Sequence, residues 1–137
     1  DLIDIELSKG DDLLKRLSGL AKKQGVSVIA SMHNFKETPS EEEMYETLTH
    51  MEEYADIAKI AVMPNIEEDV LALLTVSARA KKELSIPFIT ISMGKLGAVS
   101  RICGETFGSC ITFGAGTDAS APGQIPATQL RKILELL

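Results

Sequence analysis

The amino-acid sequence predicts an α/β protein built on a parallel β-sheet. Short apolar runs typical of β-strands alternate with longer segments in which apolar residues recur at helical spacing. Each pair of runs is separated by enough chain for a helical crossover, which is what parallel neighbours require. The runs mostly lack an alternation of apolar and polar residues, which indicates a sheet that is covered on both faces.

Five runs are predicted as strands. They are LIDIEL (2–7), VSVIAS (26–31), DIAKIAVM (56–63), PFITISM (87–93) and SCITFG (109–114). β-Branched and other apolar residues dominate them, as expected for buried strands.

Helical segments lie between these runs and after the last one. The segments are 11–25, 41–55, 66–84, 97–108 and 127–137. Gly25 is placed to end the first helix, and Ser40 with Glu43 three residues later predicts a capping box for the second. Asn65 is predicted to open the third helix, which has an acidic first turn and a basic last turn, as the helix dipole favours.

Two architectures fit this alternation: an open doubly wound sheet, or part of a (β/α)8 barrel. No GxGxxG or GxxxxGK[ST] motif follows any predicted strand, which weakens the nucleotide-binding version of the open sheet. The length of the β/α units extrapolates to a barrel of ordinary size. No linker or low-complexity segment interrupts residues 1–137, which are therefore predicted to form a single domain.

Composition excludes several classes of function. The net charge of −6 argues against binding to nucleic acid or to an anionic membrane surface, because both require a cationic face. No apolar run approaches the roughly 20 residues of a membrane-spanning helix. The two cysteines, Cys103 and Cys110, are interpreted as buried thiols in a reducing compartment, and a cytoplasmic location is predicted.

Polar side chains are predicted at the carboxyl ends of successive strands or in the loops that follow. They are Asp4 and Glu6 on the first, His33 after the second, Lys59 in the third, Arg101 after the fourth, and Ser120 and Gln124 in the Gly-rich loop after the fifth. In parallel α/β proteins these positions meet at one end of the sheet. The pattern therefore predicts an active site that combines a carboxylate, an imidazole, an amine, a guanidinium and an amide.

Lys59 is the most informative of these residues, because it is the one charged residue in the apolar run IAKIAVM. Apolar surroundings disfavour the charged form of an amine, which leaves more of the neutral form to attack a carbonyl and form an imine. His33 is then suited to proton transfer, with Asp4 orienting its ring, and Arg101 is suited to binding a carboxylate. The combination indicates imine chemistry on a small carbonyl compound that carries a carboxylate.

Structural interpretations of the same residues remain open. Asp4 and Glu6 could pair with Lys59 inside a barrel, and Arg101 could bind a helix end. His50 lies on the acidic helix and is expected to be solvated. With two histidines and no Cys/His cluster, no metal site is predicted.

The sequence resembles the type I 3-dehydroquinate dehydratases. The matching segments are IDIEL (3–7), HNF…TP (33–39), KIAVMP (59–64), SMGKLGAVSR (92–101) and FGSCITFGAGTDASAPGQI (107–125), in the order of the family. The resemblance implies a (β/α)8 TIM barrel, usually dimeric, that dehydrates 3-dehydroquinate to 3-dehydroshikimate without a cofactor.

The resemblance also implies a role for each candidate residue. Lys59 would form the imine, His33 would act as general acid and base, and Asp4 would orient His33. The substrate would be held by Arg101, Ser120 and Gln124, with the 120–124 loop closing over it. Two other functions stay open: a class I aldolase-like enzyme that shares the imine lysine, and a half-barrel module without activity.

The resemblance implies that three N-terminal β/α units of the family are absent from these residues, and the chain begins without a methionine. The sequence is therefore interpreted as the C-terminal five β/α units of the barrel. Its interior face, which includes Ile57, Ala61, Ile89 and Ile91 or their alternates, is predicted to lose its opposite wall. The chain is then expected to pair with a second copy or with the missing N-terminal units.

Overall fold

Four parallel strands form the sheet, in the order in which they follow one another along the chain. They are β1 (Leu2–Glu6), β2 (Ser27–Asn34), β3 (Ile57–Val62) and β4 (Phe88–Ser92). The computed structural model describes residues 1–137. Because the order never reverses, the sheet has no switch point of the kind that defines a doubly wound fold. Sequential parallel strands are the arrangement of a (β/α)8 barrel wall, so the predicted fold class is confirmed.

Five α-helices accompany the strands. They are α1 (Asp11–Lys23), α2 (Glu41–Met51), α3 (Glu67–Glu83), α4 (Val99–Cys103) and α5 (Ala127–Leu134), with single 3₁₀ turns at Leu7–Lys9 and Leu96–Ala98. Helices α1, α2 and α3 each connect two neighbouring strands, as predicted. None of the helices is both long enough and apolar enough to span a membrane.

The starts of α2 and α3 follow from side-chain capping. The predicted capping box is present at α2, where the Glu43 N–H donates to Ser40 Oγ at 3.3 Å and the Ser40 N–H donates to Glu43 Oε2 at 3.0 Å. At α3 the Asp69 carboxylate accepts from the N–H groups of Asn65 and Ile66, at 2.7 and 3.2 Å. The side chain of Asn65 therefore does not cap this helix, and Asp69 satisfies the free amides instead.

The outer face of the sheet carries the larger apolar core. Alternate strand residues such as Ala30 and Ile60 pack against Leu14 of α1, Leu48 of α2 and Leu73 of α3, and all of these side chains are almost fully buried. Burial of this face, together with the burial of the opposite face, explains why the strands are nearly continuous apolar runs.

The inner face is covered, which corrects the prediction of an open barrel interior. Ala61, Ile89 and Ile91 are 3%, 0% and 6% exposed and form a second apolar cluster with Ile29 and Met93. The segment after α4 folds across this face and places Ile111 and Phe113 against the cluster. The inner face, which was predicted to lose its opposite wall, is thus partly covered by the C-terminal part of the same chain.

The predicted fifth strand is wrong as a regular element. Residues 109–114 run beside β4, but only one parallel bridge forms, between Phe88 and Ser109. The Cys110 N–H donates to the Phe88 carbonyl at 2.8 Å, whereas the Thr90 N–H donates to the hydroxyl of Ser109 at 3.1 Å. Because a side chain takes the place of the next backbone acceptor, the ladder ends after one bridge.

We expect Ser40→Ala to lower the free energy of unfolding by about 1 kcal/mol, because it removes the oxygen that caps α2. Chemical denaturation followed by circular dichroism measures the change. Glu46→Ala, on the exposed side of the same helix, is the matched control and should change stability by less than about 0.5 kcal/mol. Equal effects of the two substitutions would contradict the capping argument.

Candidate active site

The strand register places the polar residues of the inner face in one row. Glu6 on β1 pairs with Ser31 on β2, and Ser31 pairs with Lys59 on β3. Residues level with one another in a parallel sheet project from the same face, and so do residues two positions apart in one strand. Asp4 and His33 therefore join the same face, immediately below and above this row. Residues far apart in the sequence are brought together by backbone pairing alone.

Lys59 is paired rather than isolated. Its Nζ lies 2.7 Å from Asp4 Oδ2 and 5.0 Å from the centre of the Phe113 ring, and the residue is 8% exposed. A buried ammonium requires such compensation, because removing a charge from water without a partner costs several kcal/mol. Of the two carboxylates on β1, Asp4 is therefore the one that pairs with Lys59, as the structural interpretation of the sequence predicted.

His33 contacts Glu6, which corrects the predicted role of Asp4. Its Nδ1 lies 2.5 Å from Glu6 Oε2, and its backbone N–H donates to Glu6 Oε1 at 3.3 Å. The Phe35 ring stacks beside the imidazole at a centroid distance of 5.9 Å. Because Nδ1 is held by the carboxylate, Nε2 is the ring nitrogen left for chemistry. β2 also extends to Asn34, so that His33 lies within the strand rather than after it.

Ser31 is a site residue that the sequence interpretation missed. It is fully buried, and its hydroxyl contacts Asp4 Oδ1 and lies 3.3 Å from Glu6 Oε2. The available signal was a hydroxyl at the end of the strand-like run VSVIAS, two positions before His33. Glu6 lies two residues from Asp4, and this spacing predicts that both carboxylates lie on the same face of the sheet. It does not predict which side chain each carboxylate contacts.

Arg101 supplies the other buried cation, and no carboxylate pairs with it. The residue is 2% exposed, and its guanidinium donates to the carbonyls of Pro122 at 3.1 Å and Phe113 at 3.4 Å. Its Nε is buried without a partner. Desolvation lowers the pKa of Arg101 from its ordinary value, but a guanidinium remains charged. An uncompensated guanidinium with a free N–H is suited to an anion, above all a carboxylate.

Ser120 and Gln124 lie in a loop whose two ends are joined by backbone hydrogen bonds. The Ala115 N–H donates to the Ile125 carbonyl and the Ala127 N–H donates to the Ala115 carbonyl, both at 2.8 Å. Within the loop, the Ser120 N–H donates to Gln124 Oε1 at 2.7 Å, and Gln124 Nε2 donates to Ser120 Oγ at 3.0 Å. The two side chains therefore hold each other in position.

Gly123 lets this loop approach the end of β4. Its φ is 74°, and a Cβ added there would lie 2.1 Å from the Gly94 carbonyl oxygen. The Gly94 N–H in turn donates to the Pro122 carbonyl at 3.1 Å. Only glycine accommodates both the left-handed backbone and the close approach.

The structure brings five of the predicted site residues to one cavity of about 280 Å³. His33, Lys59, Arg101, Ser120 and Gln124 all line it, together with apolar residues that include Phe35, Met93 and Phe113. Asp4 does not line the cavity and lies behind Lys59. A larger cavity of about 580 Å³ lies between α1 and the turn after α2, away from all of these residues. No cluster of three or more His, Cys, Asp and Glu side chains is placed to hold a metal ion.

The fold and this site define a parallel α/β protein of the barrel class, with a buried lysine and a carboxylate-bound histidine on its inner face. A family model described as Type I 3-dehydroquinase matches residues 1–137. The chain belongs to the type I 3-dehydroquinase family.

Relatives of known name agree with this assignment. The chain is 49% identical over 138 residues to a 3-dehydroquinate dehydratase of Neisseria gonorrhoeae, matching 100% of the chain and 54% of that protein. Identity to the Salmonella paratyphi B enzyme of the same name is 49% over 139 residues, matching 100% of the chain and 55% of that protein. The chain thus spans about half the length of the curated relatives it matches.

Solved structures extend the comparison. The 3-dehydroquinate dehydratase of Geobacillus kaustophilus superposes with a TM-score of 0.96 at 43% identity, over 100% of this chain and 53% of that one. The type I enzyme of Clostridium difficile gives a TM-score of 0.94 at 47% identity, over 99% of this chain and 54% of that one. These structures carry the same fold across the whole of residues 1–137.

We expect Gly123→Ala to release the 115–126 loop, because the added Cβ overlaps the Gly94 carbonyl and the φ of 74° is strained for alanine. Amide exchange of the loop, followed by mass spectrometry, should accelerate by at least about tenfold. Gly116→Ala is the control in the same loop, since no atom lies within 4 Å of its added Cβ. Unchanged exchange in Gly123→Ala would contradict the proposed docking of the loop.

Proposed function

We propose that this chain forms the greater part of the active site of a 3-dehydroquinate dehydratase, a lyase of the shikimate pathway that works through an imine. The observation that carries the proposal is the cavity that joins Lys59 and His33 to a guanidinium without a carboxylate partner. Each group has the chemistry that one part of this substrate requires, and family membership supplies the substrate class.

The carboxylate of 3-dehydroquinate is assigned to Arg101. The guanidinium is buried, its Nε lacks a partner, and no other cation lines the cavity except Lys59. A carboxylate bound there places the ring of the substrate between Lys59 and the 115–126 loop. Ser120 and Gln124 then reach the ring hydroxyls by exchanging their mutual hydrogen bonds for bonds to the substrate.

The reaction begins at Lys59. Its Nζ loses a proton, attacks the C3 carbonyl carbon, and forms an iminium ion with loss of water. Asp4, 2.7 Å from Nζ, is placed as the counter-ion of that cation. The iminium withdraws electrons from C2 and makes its protons acidic.

His33 carries the proton that the reaction moves. Its Nε2 removes a C2 proton, and the electron pair of that C–H bond forms an enamine as the iminium nitrogen becomes neutral. The enamine then expels the C1 hydroxyl, which takes the proton from His33 and leaves as water. Hydrolysis of the resulting iminium releases 3-dehydroshikimate and restores Lys59, so that the overall change is the loss of one water molecule.

A solved relative supports covalent chemistry in this family. The Clostridium difficile enzyme was obtained with covalently modified comenic acid. A class I aldolase-like reaction would use the same lysine, but the family match covers every residue of the chain and favours dehydration. The free thiols of Cys103 and Cys110 support the proposed cytoplasmic location, since a reducing compartment keeps thiols unpaired.

Further barrel strands are proposed to complete the site. The relatives are about twice as long as this chain, and β1 has no neighbour on its outer edge. Leu2 and Ile3 on this edge strand are 46% and 39% exposed. An apolar edge of this kind pairs readily with another strand. We assign it to the remaining β/α units of the family or, in their absence, to a second copy of the chain.

We expect 3-dehydroquinate and borohydride together to add the mass of a reduced adduct to Lys59 in the complete gene product, because reduction converts the imine to a stable amine. Peptide mapping locates the adduct. Lys59→Ala should abolish it, whereas Lys95→Ala, which removes an exposed lysine beyond β4, should not. An adduct on another lysine, or none, would refute the proposed function.

His33→Ala should still form the imine but should lower turnover by about 10²- to 10⁴-fold, because it removes the group that moves the C2 proton. Absorbance of the conjugated product measures turnover, and borohydride trapping measures the imine. His50→Ala, on helix α2 and outside the cavity, is the matched control and should keep normal turnover. Loss of imine formation in His33→Ala would assign the histidine to an earlier step.

Residues 1–137 expressed alone are expected to associate at micromolar concentration, because β1 exposes both its edge and apolar side chains. Light scattering measures the mass. Ile3→Lys should weaken the association, since a charged residue opposes pairing at an edge strand. A monomer that unfolds cooperatively would contradict the proposal.

A further inference from the structure

The Ser31 hydroxyl lies between two carboxylates that serve different catalytic groups. We propose that Ser31 is a positioning residue that couples the charge on the Lys59 nitrogen to the charge on His33 during removal of the C2 proton. The inference rests on the proposed function, in which these two groups act on one substrate.

A continuous set of contacts joins the two groups. Lys59 Nζ contacts Asp4 Oδ2, and the other oxygen of that carboxylate, Oδ1, contacts Ser31 Oγ. On the other side, Ser31 Oγ lies 3.3 Å from Glu6 Oε2, which contacts His33 Nδ1. Ser31 is fully buried and stands level with Glu6 and Lys59 in the sheet. It is the only residue that touches both carboxylates.

The hydroxyl has one proton to donate and two acceptors that compete for it. A carboxylate whose charge is already balanced by a neighbouring cation is the weaker acceptor of the two. Since the C–O bond rotates freely, the proton turns toward whichever carboxylate lacks a cation. The hydrogen bond to that charged oxygen is charge-assisted, and its donor, the Ser31 hydroxyl, is fully buried.

The proposed reaction exchanges the two cations. Before proton removal the positive charge is on the iminium nitrogen beside Asp4, and His33 is neutral, so that Ser31 donates to Glu6. After proton removal His33 is cationic beside Glu6 and the enamine nitrogen is neutral, so that Ser31 donates to Asp4. The hydroxyl thus satisfies the carboxylate without a cation in both states. No atom is transferred to or from Ser31, because only its O–H bond turns.

Loss of the hydroxyl should therefore slow proton removal and spare imine formation. On each side of the transition state, Ser31→Ala removes the hydroxyl hydrogen bond from the carboxylate that lacks a neighbouring cation. We expect C2 proton removal to slow by about 10- to 100-fold, the range for a hydrogen bond to a charged group. Attack of Lys59 on the ketone precedes the exchange of charge and should change by less than about threefold.

The experiment compares variants of the complete gene product in single turnovers with 3-dehydroquinate and with substrate deuterated at C2. Borohydride trapping reports imine formation, and product absorbance reports dehydration. Ser31→Ala should raise the isotope effect as proton removal becomes rate-limiting. Ser31→Cys, which keeps the volume but donates weakly, should behave likewise, and Ser31→Thr should restore most of the rate. Ser77→Ala is the control, because it removes another fully buried hydroxyl, one bonded to Leu73 and Thr90 on the outer face.

Two results overturn the inference. One is a normal isotope effect and normal dehydration in both Ser31→Ala and Ser31→Cys. The other is an equal slowing of imine formation and dehydration, matched by Ser77→Ala, which would assign Ser31 to general stability. Failure of the wild-type protein to form any imine is a different result, because it refutes the proposed function itself.

Discussion

The site depends on how one buried ammonium is balanced. Lys59 is embedded in the sheet at 8% exposure, and only the Asp4 carboxylate offsets its charge. Asp4 is partly exposed, but its removal would leave the ammonium of Lys59 buried and without a counter-charge, which is destabilising. Asp4 is itself fixed by Ser31, and Ser31 by its pairing with β1 and β3. The position of the Lys59 ammonium therefore follows from the register of three strands, and any slip of β1 would separate Asp4 from Lys59.

The two faces of the sheet divide stability from chemistry. The outer face is mostly apolar, apart from the buried Ser77–Thr90 hydroxyl pair, and it packs against α1, α2 and α3. The inner face combines an apolar cluster around Ile89 with charged residues on β1 and β3, and Phe113 covers both. Because each face is addressed by alternate residues, the outer core can hold the backbone rigid while the inner row carries polar groups that contribute little to folding.

Much of the fold could be predicted from the sequence, because its signals are local. Apolar runs located all four strands, and capping residues located α2. Residues 109–114 are as apolar as a strand, but whether a ladder continues depends on a neighbour, and there the Ser109 hydroxyl replaces a backbone acceptor. Lys59 could be chosen because it interrupts an apolar run, and His33 and Arg101 because each follows a predicted strand. The partners of Asp4 and Glu6 could not, since register and side-chain reach decide them.

The mutual hydrogen bonds of Ser120 and Gln124 affect which ligands the cavity can bind well. Both side chains are already satisfied in the closed loop, so a ligand that enters must separate them before it gains any contact. A polyhydroxylated ring replaces both bonds, and the exchange is nearly neutral in free energy. A flat, unsubstituted cyclic acid of the same size offers no hydrogen bonds to replace those of the pair, so it gains nothing from separating the two side chains. Under the proposed function, this loop would favour ligands that carry ring hydroxyls over analogues that lack them.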